Sequence, residues 1–351
     1  MTTKIDKLLI ALALALGAIS ISTIYAANKS LATSQLIFWF FGILLMLIVS
    51  QFYFRTIKSF ALPVYLVSIV ALIVVYLAGE AIRGSVRWID FGIFRFQPSE
   101  VAKVGSILTL ALFFTKRSAA KVTNLIASLL LISPAFLLIL VEPDIGSAAA
   151  ILAIWLTVAF AAGMKKDHIL ALFLLAILTA TISFEILAPY QKQRIETFVD
   201  PSKDPLGSGY NILQSKIAVG AGQLFGRGLG RGSQSQLNFL PESESDFIFA
   251  SIAEQLGFVG AGLVIIIFVI LIRRITKVLN STDRFGQLTT VGILGLFIYQ
   301  FTVNVGMNMG IIPVTGITLP LVSYGGSSLV ANLLLLGILF AVKKPNYNLE
   351  A

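Results

Sequence analysis

The stretch LLIALALALGAISISTIYAA, residues 8–27, decides the fold class. It contains no charged side chain, and it has the length of about 20 residues that an α-helix needs to cross the apolar core of a bilayer. Similar stretches recur along the rest of the chain, so the sequence predicts ten membrane-spanning helices. They are expected at 8–27, 36–54, 60–79, 99–115, 124–141, 145–163, 169–187, 247–272, 287–304 and 327–342.

The composition also predicts an all-α protein that crosses the membrane several times. Apolar residues make up 57% of the 351 residues, charged residues only 12%, and the mean hydropathy is +0.91, which excludes an ordinary soluble domain. The sequence has no cysteine and a single histidine, His168, so disulfides, thiol nucleophiles and histidine-based triads are excluded. Acid–base chemistry then falls to carboxylates, lysine or tyrosine. We expect one integral membrane domain over residues 1–351.

Basic residues are distributed unevenly between the predicted loops. With both termini in the cytoplasm, 15 of the 26 lysines and arginines but only four of the 17 acids face inward, as the positive-inside rule requires. The high pI is therefore a sign of topology, and we expect no nucleic-acid partner. The longest loop, 188–246, would join spans seven and eight outside the cell. Polar residues collect on this outer face rather than at mid-membrane, which favours surface chemistry over transport.

Three arginines stand among aromatic residues in GEAIRGSVRWIDFGIFRFQPSE, residues 79–100. An interfacial aromatic belt with snorkelling arginines would explain them. Alternatively, Arg83 and Arg87 grip the phosphate of a lipid, because an arginine fork matches phosphate oxygens. Glu100 and Lys103 follow, three positions apart in an apolar helix, and can pair with each other. They are either a structural pair or a contact to a substrate.

Three further segments could shape a site. LVEPDIGSA, residues 140–148, predicts a helix break with Asp144 as a cap. GAGQLFGRGLGRG, residues 220–232, is either a flexible hinge or a backbone cradle for phosphate, and an amphipathic helix is expected before it at 210–219. GMNMGIIPVTGITLPLVSYGGSS, residues 306–328, is expected to be non-helical. It would then line a cavity with Ser323, Gly325 and Gly326 in the wall.

LPESESDFIFASIAEQLGF, residues 240–258, places four acids at the start of span eight. Ser243 and Asp246 have the spacing of a capping box, which would make this an ordinary helix start. A carboxylate beside aromatic residues, on a face that also supplies cations, could instead be tuned into a general base. The residues themselves leave both interpretations open.

Five segments together resemble the SEDS family of membrane proteins (shape, elongation, division and sporulation), more its elongation branch than its division branch. They are GSVRWIDFG…FQPSEVAK, EPDIGSA, YQKQRIETFVDPSKDPLGSGYNILQSKIAVGAGQLFGRGLG, NFLPESESDFIFASIAEQLGF and PVTGITLPLVSYGGSS. The resemblance implies a peptidoglycan glycosyltransferase of the bacterial cytoplasmic membrane that polymerises lipid II on the outer face. A lipid II flippase is the alternative. The resemblance also implies a class B penicillin-binding protein, a transpeptidase, as partner in the surrounding membrane lipid.

The resemblance assigns roles to particular residues. It implies Asp246 as the catalytic aspartate, and it carries Glu100 and Lys103 over from the family motif. Candidates for holding the pyrophosphate are Arg83, Arg87 and Lys103, with Arg194 as a further one. A divalent cation such as Mg²⁺ could share that task, although no dedicated metal site is readable. This chain departs from the family pattern at Glu244, Ser245 and Gln255, where the family usually has histidine, threonine and glutamate.

Overall fold

The computed structural model describes residues 6–79, 87–92, 95–186, 189–204, 207–237, 239–281 and 283–343. Within these residues the chain forms thirteen α-helices and one short antiparallel strand pair, β1 (Ile89–Asp90) with β2 (Arg95–Phe96). The helices are α1 (Lys7–Ala27), α2 (Lys29–Ser50), α3 (Phe54–Ala78), α4 (Pro98–Thr115), α5 (Val122–Val141), α6 (Ile145–Ala161), α7 (Lys166–Ile186), α8 (Pro189–Val199), α9 (Ser208–Ala221), α10 (Ser233–Gln236), α11 (Ile248–Thr276), α12 (Arg284–Asn308) and α13 (Gly326–Val342).

Each of the ten predicted spans overlaps one helix, from α1 to α7 and from α11 to α13. Among the described residues, six helices are both long and apolar enough to cross a membrane: α1, α2, α3, α5, α11 and α12. Helices α6 and α13 are apolar but have only 17 residues each. The protein is therefore a multi-pass membrane protein of α-helices, while the count of ten spans stays a prediction.

Helices α2 and α3 begin earlier in the chain than predicted, and a polar side chain caps the first of them. The second span was expected to begin at 36, but α2 begins at Lys29 and is separated from α1 by Asn28 alone. The Asn28 side chain accepts hydrogen bonds from the backbone N–H groups of Ser30 and Leu31, at 3.0 and 3.2 Å, and thereby caps α2. Likewise, α3 begins at Phe54 rather than at 60.

The bundle has an inner and an outer set of helices. Helices α4, α12 and α13 are buried along most of their length. Helix α3 packs on α4, α2 packs on α13, and α6 packs on α12. The apolar side chains that α2, α3 and α5 leave exposed, such as Phe40, Leu66 and Leu130, form the lipid-facing surface that a membrane protein requires.

The long connection between α7 and α11 is folded onto one end of the bundle. It contains α8, α9 and α10, and α9 confirms the helix predicted at 210–219. Helix α9 packs against α11 and α12, and the Ser215 hydroxyl donates to the carbonyl of Asn308 at 2.7 Å. Its Ala218 forms a small apolar cluster with Leu240, Phe247 and Ala250. The connection is thus anchored where α11 begins and α12 ends.

Helix α11 is broken at Gly257, whose φ of 71° and ψ of −167° are open only to glycine. A break leaves backbone groups on both sides without partners inside the helix. The glycine run at 220–232 supplies those partners, because two of its N–H groups donate across the break and two of its carbonyls accept. The bonds are Arg227 N to Glu254 O (2.9 Å), Gly228 N to Gln255 O (3.0 Å), Phe258 N to Gln223 O (2.8 Å) and Val259 N to Leu224 O (3.1 Å).

Glycines leave the room for this contact. A Cβ added at Gly222, Gly226 or Gly257 would overlap backbone atoms of the facing segment. The flexible hinge expected for the run is therefore wrong, whereas a phosphate cradle formed by its remaining N–H groups stays a prediction. The run is held against α11, and the N–H groups of Arg227 and Gly228 are already bound to carbonyls.

We predict that Gly257→Ala destabilises the protein, since a side chain there costs roughly 1–3 kcal/mol of backbone strain and also collides with the glycine run. Gly262→Ala is the matched control, because Gly262 lies on the same helix with nothing within 4 Å of an added Cβ; it should stabilise slightly, by at most about 1 kcal/mol. Unfolding curves of the two purified variants in one detergent measure the difference. Equal effects would show that the break does not require glycine.

Candidate active site

Asp246 lies in the turn that precedes α11. The helix begins at Ile248, and Phe247, which has no polar side chain, is its N-cap residue. A capping box would require Ser243 to be the N-cap residue, so the capping-box interpretation is wrong. The turn closes differently, because the N–H groups of Ser245 and Phe247 both donate to the carbonyl of Glu242, at 3.1 Å each. The Ser243 hydroxyl donates to the carboxylate of Glu244, at 3.1 Å.

Two asparagines of α12 hold this turn. The side-chain nitrogens of Asn304 and Asn308 both donate to the backbone carbonyl of Asp246, at 3.0 and 2.9 Å. The side-chain oxygen of Asn308 also accepts from the N–H of Ala250, at 2.8 Å. Asn308 therefore caps α11 from a neighbouring helix, the task that a local side chain usually performs. Both asparagines are fully buried, so these bonds fix the backbone at Asp246.

The segment between α12 and α13 wraps around the same turn. It is non-helical, as predicted. The Ser323 hydroxyl donates to the carbonyl of Ser245 at 2.6 Å, and the N–H of Tyr324 donates to the carbonyl of Glu244 at 2.8 Å. Gly316, with φ of 75°, lies beside the carboxylate of Asp246, because a Cβ added there would stand 3.5 Å from Oδ2. A side chain at position 316 would therefore touch this carboxylate.

The turn between α5 and α6 packs against the segment that follows α12. A Cβ added at Gly146 would lie 2.9 Å from the carbonyl oxygen of Thr315, next to Gly316. Asp144 caps α6 through the N–H of Ser147, at 3.0 Å, as predicted. The α5–α6 turn and the Asp246 turn therefore border the same end of the bundle.

Arg87 binds the α5–α6 turn. Its Nε donates to the carbonyl of Glu142 at 3.0 Å, and its guanidinium also donates to the carbonyl of Pro143. A terminal nitrogen lies 4.0 Å from the Asp144 carboxylate. A guanidinium has five N–H donors, so these two backbone bonds leave others for a ligand. Binding of pyrophosphate by Arg87 stays a prediction.

Helix α4 begins in the same region. The side chain of Gln97, just before the helix, donates to Asp144 at 3.3 Å, and its N–H donates to the hydroxyl of Ser327 at 3.1 Å. Glu100 and Lys103 lie in the first two turns and form an ion pair of 2.8 Å that is almost fully buried. The predicted pairing is confirmed, whereas contact of either residue with a substrate stays a prediction.

The remaining predicted residues have these positions. Arg83 falls outside the described residues, and Arg194 lies on α8. Gly326 is the first residue of α13, where a Cβ would collide with the ring of Phe38, and Gly325 directly precedes it. Their roles in substrate binding, like that of Ser323, stay predictions.

Sequence reasoning missed Asn304 and Asn308. A signal was present, because two asparagines four residues apart share one face of a helix, and amides in an apolar span are costly unless they find partners. Their partner, the carbonyl of Asp246, is a backbone atom about 60 residues away. No local pattern identifies such a partner.

Glu142 is a second carboxyl group that the sequence did not single out. Its side chain is buried, and its Oε1 has no hydrogen-bond partner among the described residues. Burial, helped by the negative charge of Asp144, raises the pKa of Glu142 to about 8, and Arg87 opposes this only in part. At neutral pH the group therefore carries a proton.

We predict that Glu142→Gln prevents part of the loss of stability that the protein undergoes as the pH rises toward about 8. As the pH rises from about 5 to about 8, the unfolded chain loses this proton while the folded chain keeps it, so the stability of the folded state falls. Glutamine mimics the protonated acid and carries no such dependence. Melting temperatures across this pH range measure the difference, which should widen with pH.

Asp90→Asn is the control for that experiment. The N–H of Gly92 and then Arg95 hold the pKa of Asp90 below its ordinary value, so this acid titrates below the pH range used. The melting temperature of the Asp90→Asn variant should therefore change with pH across this range as that of the wild type does. A Glu142→Gln variant that runs parallel to the wild type would contradict a protonated Glu142.

The apolar helices and the polar end around Asp246 define a multi-pass membrane protein with a candidate site at one end of its bundle. The chain belongs to the family described as "Cell cycle protein", that of FtsW, RodA and SpoVE, whose model matches residues 4–348.

Two curated relatives illustrate the range of the family. Peptidoglycan glycosyltransferase MrdB of Escherichia coli (strain K12) is 39% identical over 305 residues, which cover 86% of this chain and 82% of the relative. Stage V sporulation protein E of Bacillus subtilis (strain 168) is 35% identical over a 365-residue alignment that covers 98% of this chain and 99% of the relative.

Solved structures share the fold. The rod shape determining protein RodA of Thermus thermophilus is 28% identical, with a TM-score of 0.73 and 97% of both chains covered. A chain of a peptidoglycan synthase complex, studied for the coordination of polymerization and crosslinking, is 32% identical, with a TM-score of 0.88. The alignment covers 99% of this chain and 100% of that one.

Proposed function

We propose that this chain, a peptidoglycan glycosyltransferase by family, polymerises lipid II at the outer face of the cytoplasmic membrane with Asp246 as the general base. One observation carries the residue assignment. The carboxylate of Asp246 stands beside Gly316 on a turn whose backbone is fixed by two buried asparagines. A general base has to be held in position in this way before it can take a proton efficiently.

The proposed topology has ten spans, with both termini in the cytoplasm and the Asp246 end of the bundle outside. The distribution of charge supports it. Arg273 and Arg274 lie in the last turn of α11, at the end opposite to Asp246, and Lys116 and Arg117 follow α4 at the end opposite to Glu100. Basic clusters at that end fit the positive-inside rule.

The proposed reaction joins two sugars. The 4-hydroxyl of the acceptor N-acetylglucosamine forms a bond to C1 of the donor N-acetylmuramic acid, while the bond between C1 and the lipid pyrophosphate breaks. Asp246 takes the proton of the attacking hydroxyl. The electron pair of the broken bond leaves with the pyrophosphate, whose bond energy drives the reaction.

Positive charge is needed where the pyrophosphate leaves. Arg87 is the best-placed described candidate, because its backbone bonds anchor it to the α5–α6 turn and still leave donors unused. Lys103 is buried and paired with Glu100, so it would act on the leaving group through the pair rather than as a free cation. Arg83 and Arg194 remain proposed contributors on sequence grounds.

A divalent cation such as Mg²⁺ remains part of the proposal only as a counter-ion of the substrate. The described residues contain no group of three acidic or histidine side chains placed to hold a metal. We therefore assign no step of the reaction to a cation held by the protein.

The proposed partner is a class B penicillin-binding protein that crosslinks the new strand. The similar chain from a peptidoglycan synthase complex supports this. A polymerase and a transpeptidase on the same outer face would pass the glycan strand between them without crossing the membrane.

We predict that Asp246→Asn lowers the rate of lipid II polymerisation by about 100-fold or more, since a positioned general base contributes roughly 10²–10⁴-fold. Asparagine keeps the shape and the backbone carbonyl that the α12 amides bind, so folding should be preserved. Glu244→Gln, two residues away, is the matched control and should keep near-normal activity. The purified variants, with and without the partner, are compared by gel separation of glycan strands made from lipid II.

Glycan synthesis by Asp246→Asn at the wild-type rate would disprove the role of Asp246 as base. The same samples test the flippase alternative, which requires wild-type protein to move lipid II across vesicle membranes without forming glycan strands.

A further inference from the structure

A groove of about 560 Å³ lies between the end of α1, the start of α2 and the glycine run. Its walls are mainly apolar. Helix α1 contributes Ala18, Ile21 and Tyr25, and the glycine run contributes Leu229 and Gly230. Tyr25 and Leu229 are each about half exposed, so the groove is open to the surroundings of the bundle.

One cation lines this groove, and a second follows its wall in the chain. Lys29, the first residue of α2, lines it and holds its Nζ 5.7 Å from the ring centroid of Tyr25. Arg231 is exposed and directly follows Gly230 of the wall. In the part of the chain that the structure describes, no ion pair engages either residue. An apolar groove with one cation in its wall and another next to the wall in sequence is complementary to a molecule that has an apolar tail and an anionic head.

The groove is separate from the candidate active site. The Ser20 hydroxyl donates to the carbonyl of Val322, in the segment that wraps around the Asp246 turn. Residues two positions apart on a helix point about 200° apart, so Ala18 and Ser22, which line the groove, lie on the opposite face of α1 from Ser20. The groove therefore opens toward the surrounding lipid and away from Asp246.

We propose that this groove binds one anionic phospholipid of the membrane, with an acyl chain along α1 and Leu229 and the phosphate between Lys29 and Arg231. Cations near a membrane surface attract anionic lipid heads, and tyrosine is favoured at that depth. The lipid would hold Leu229 and Gly230 against α1, and through them the glycine run that clamps the break of α11. The proposal is independent of the glycosyltransferase function.

Native mass spectrometry of the purified chain with phosphatidylglycerol or phosphatidylcholine tests the proposal. The wild type should retain one phosphatidylglycerol more strongly than it retains phosphatidylcholine. The double variant Lys29→Gln/Arg231→Gln should lose that retention by roughly tenfold or more, as expected when two cations are removed from a lipid head. Equal retention of the two lipids by the wild type would overturn the proposal.

Two further variants separate groove binding from general charge attraction. Lys165→Gln/Lys203→Gln removes the same charge from exposed positions that do not line the groove and should bind phosphatidylglycerol as the wild type does. Ala18→Phe fills the groove at an exposed position and leaves the charge unchanged, so it should also lose the lipid. Retention of phosphatidylglycerol by Ala18→Phe, or an equal loss of this lipid in the two double variants, would overturn the proposed site.

Discussion

The position of Asp246 depends on the two amide groups of α12 that bind its backbone carbonyl. Asn308 also caps α11 through the N–H of Ala250, so a single side chain joins the end of one helix to the start of another. In an apolar environment these groups have no water as an alternative partner. The contact therefore fixes the geometry of the turn more firmly than a local cap would, and the other elements of the site pack around it.

Backbone groups decide how the long connection is attached to the bundle. The break of α11 at Gly257 exposes groups that a continuous helix would satisfy, and the glycine run is bound to them. Further along, the buried carboxylate of Glu254 accepts the N–H groups of Gln234 and Ser235 at 2.8 and 3.0 Å, which orders the short helix α10. The segment that leads from α9 to Asp246 is thus held to α11 before it reaches the site.

The sequence predicted what depends on local pattern. The ten apolar stretches fall on helices, the glycine- and proline-rich segment 306–328 is largely non-helical, and Asp144 caps α6. The failures concern contacts between distant residues. The spacing of Ser243 and Asp246 suggested a local cap, but Asn308 performs that role from 58 positions away. The glycine run suggested a flexible hinge, because nothing in its own residues reveals the break in α11 to which it binds.

The most direct test of the account is the accessibility of position 246. The chain contains no cysteine, so Asp246→Cys introduces a single thiol, and Arg273→Cys provides a matched thiol at the other end of the same helix. A membrane-impermeant thiol reagent added to intact cells should label the first variant and leave the second unlabelled until the membrane is opened. Labelling of Asp246→Cys only after the membrane is opened, or not at all, would contradict a base that works on the outer face.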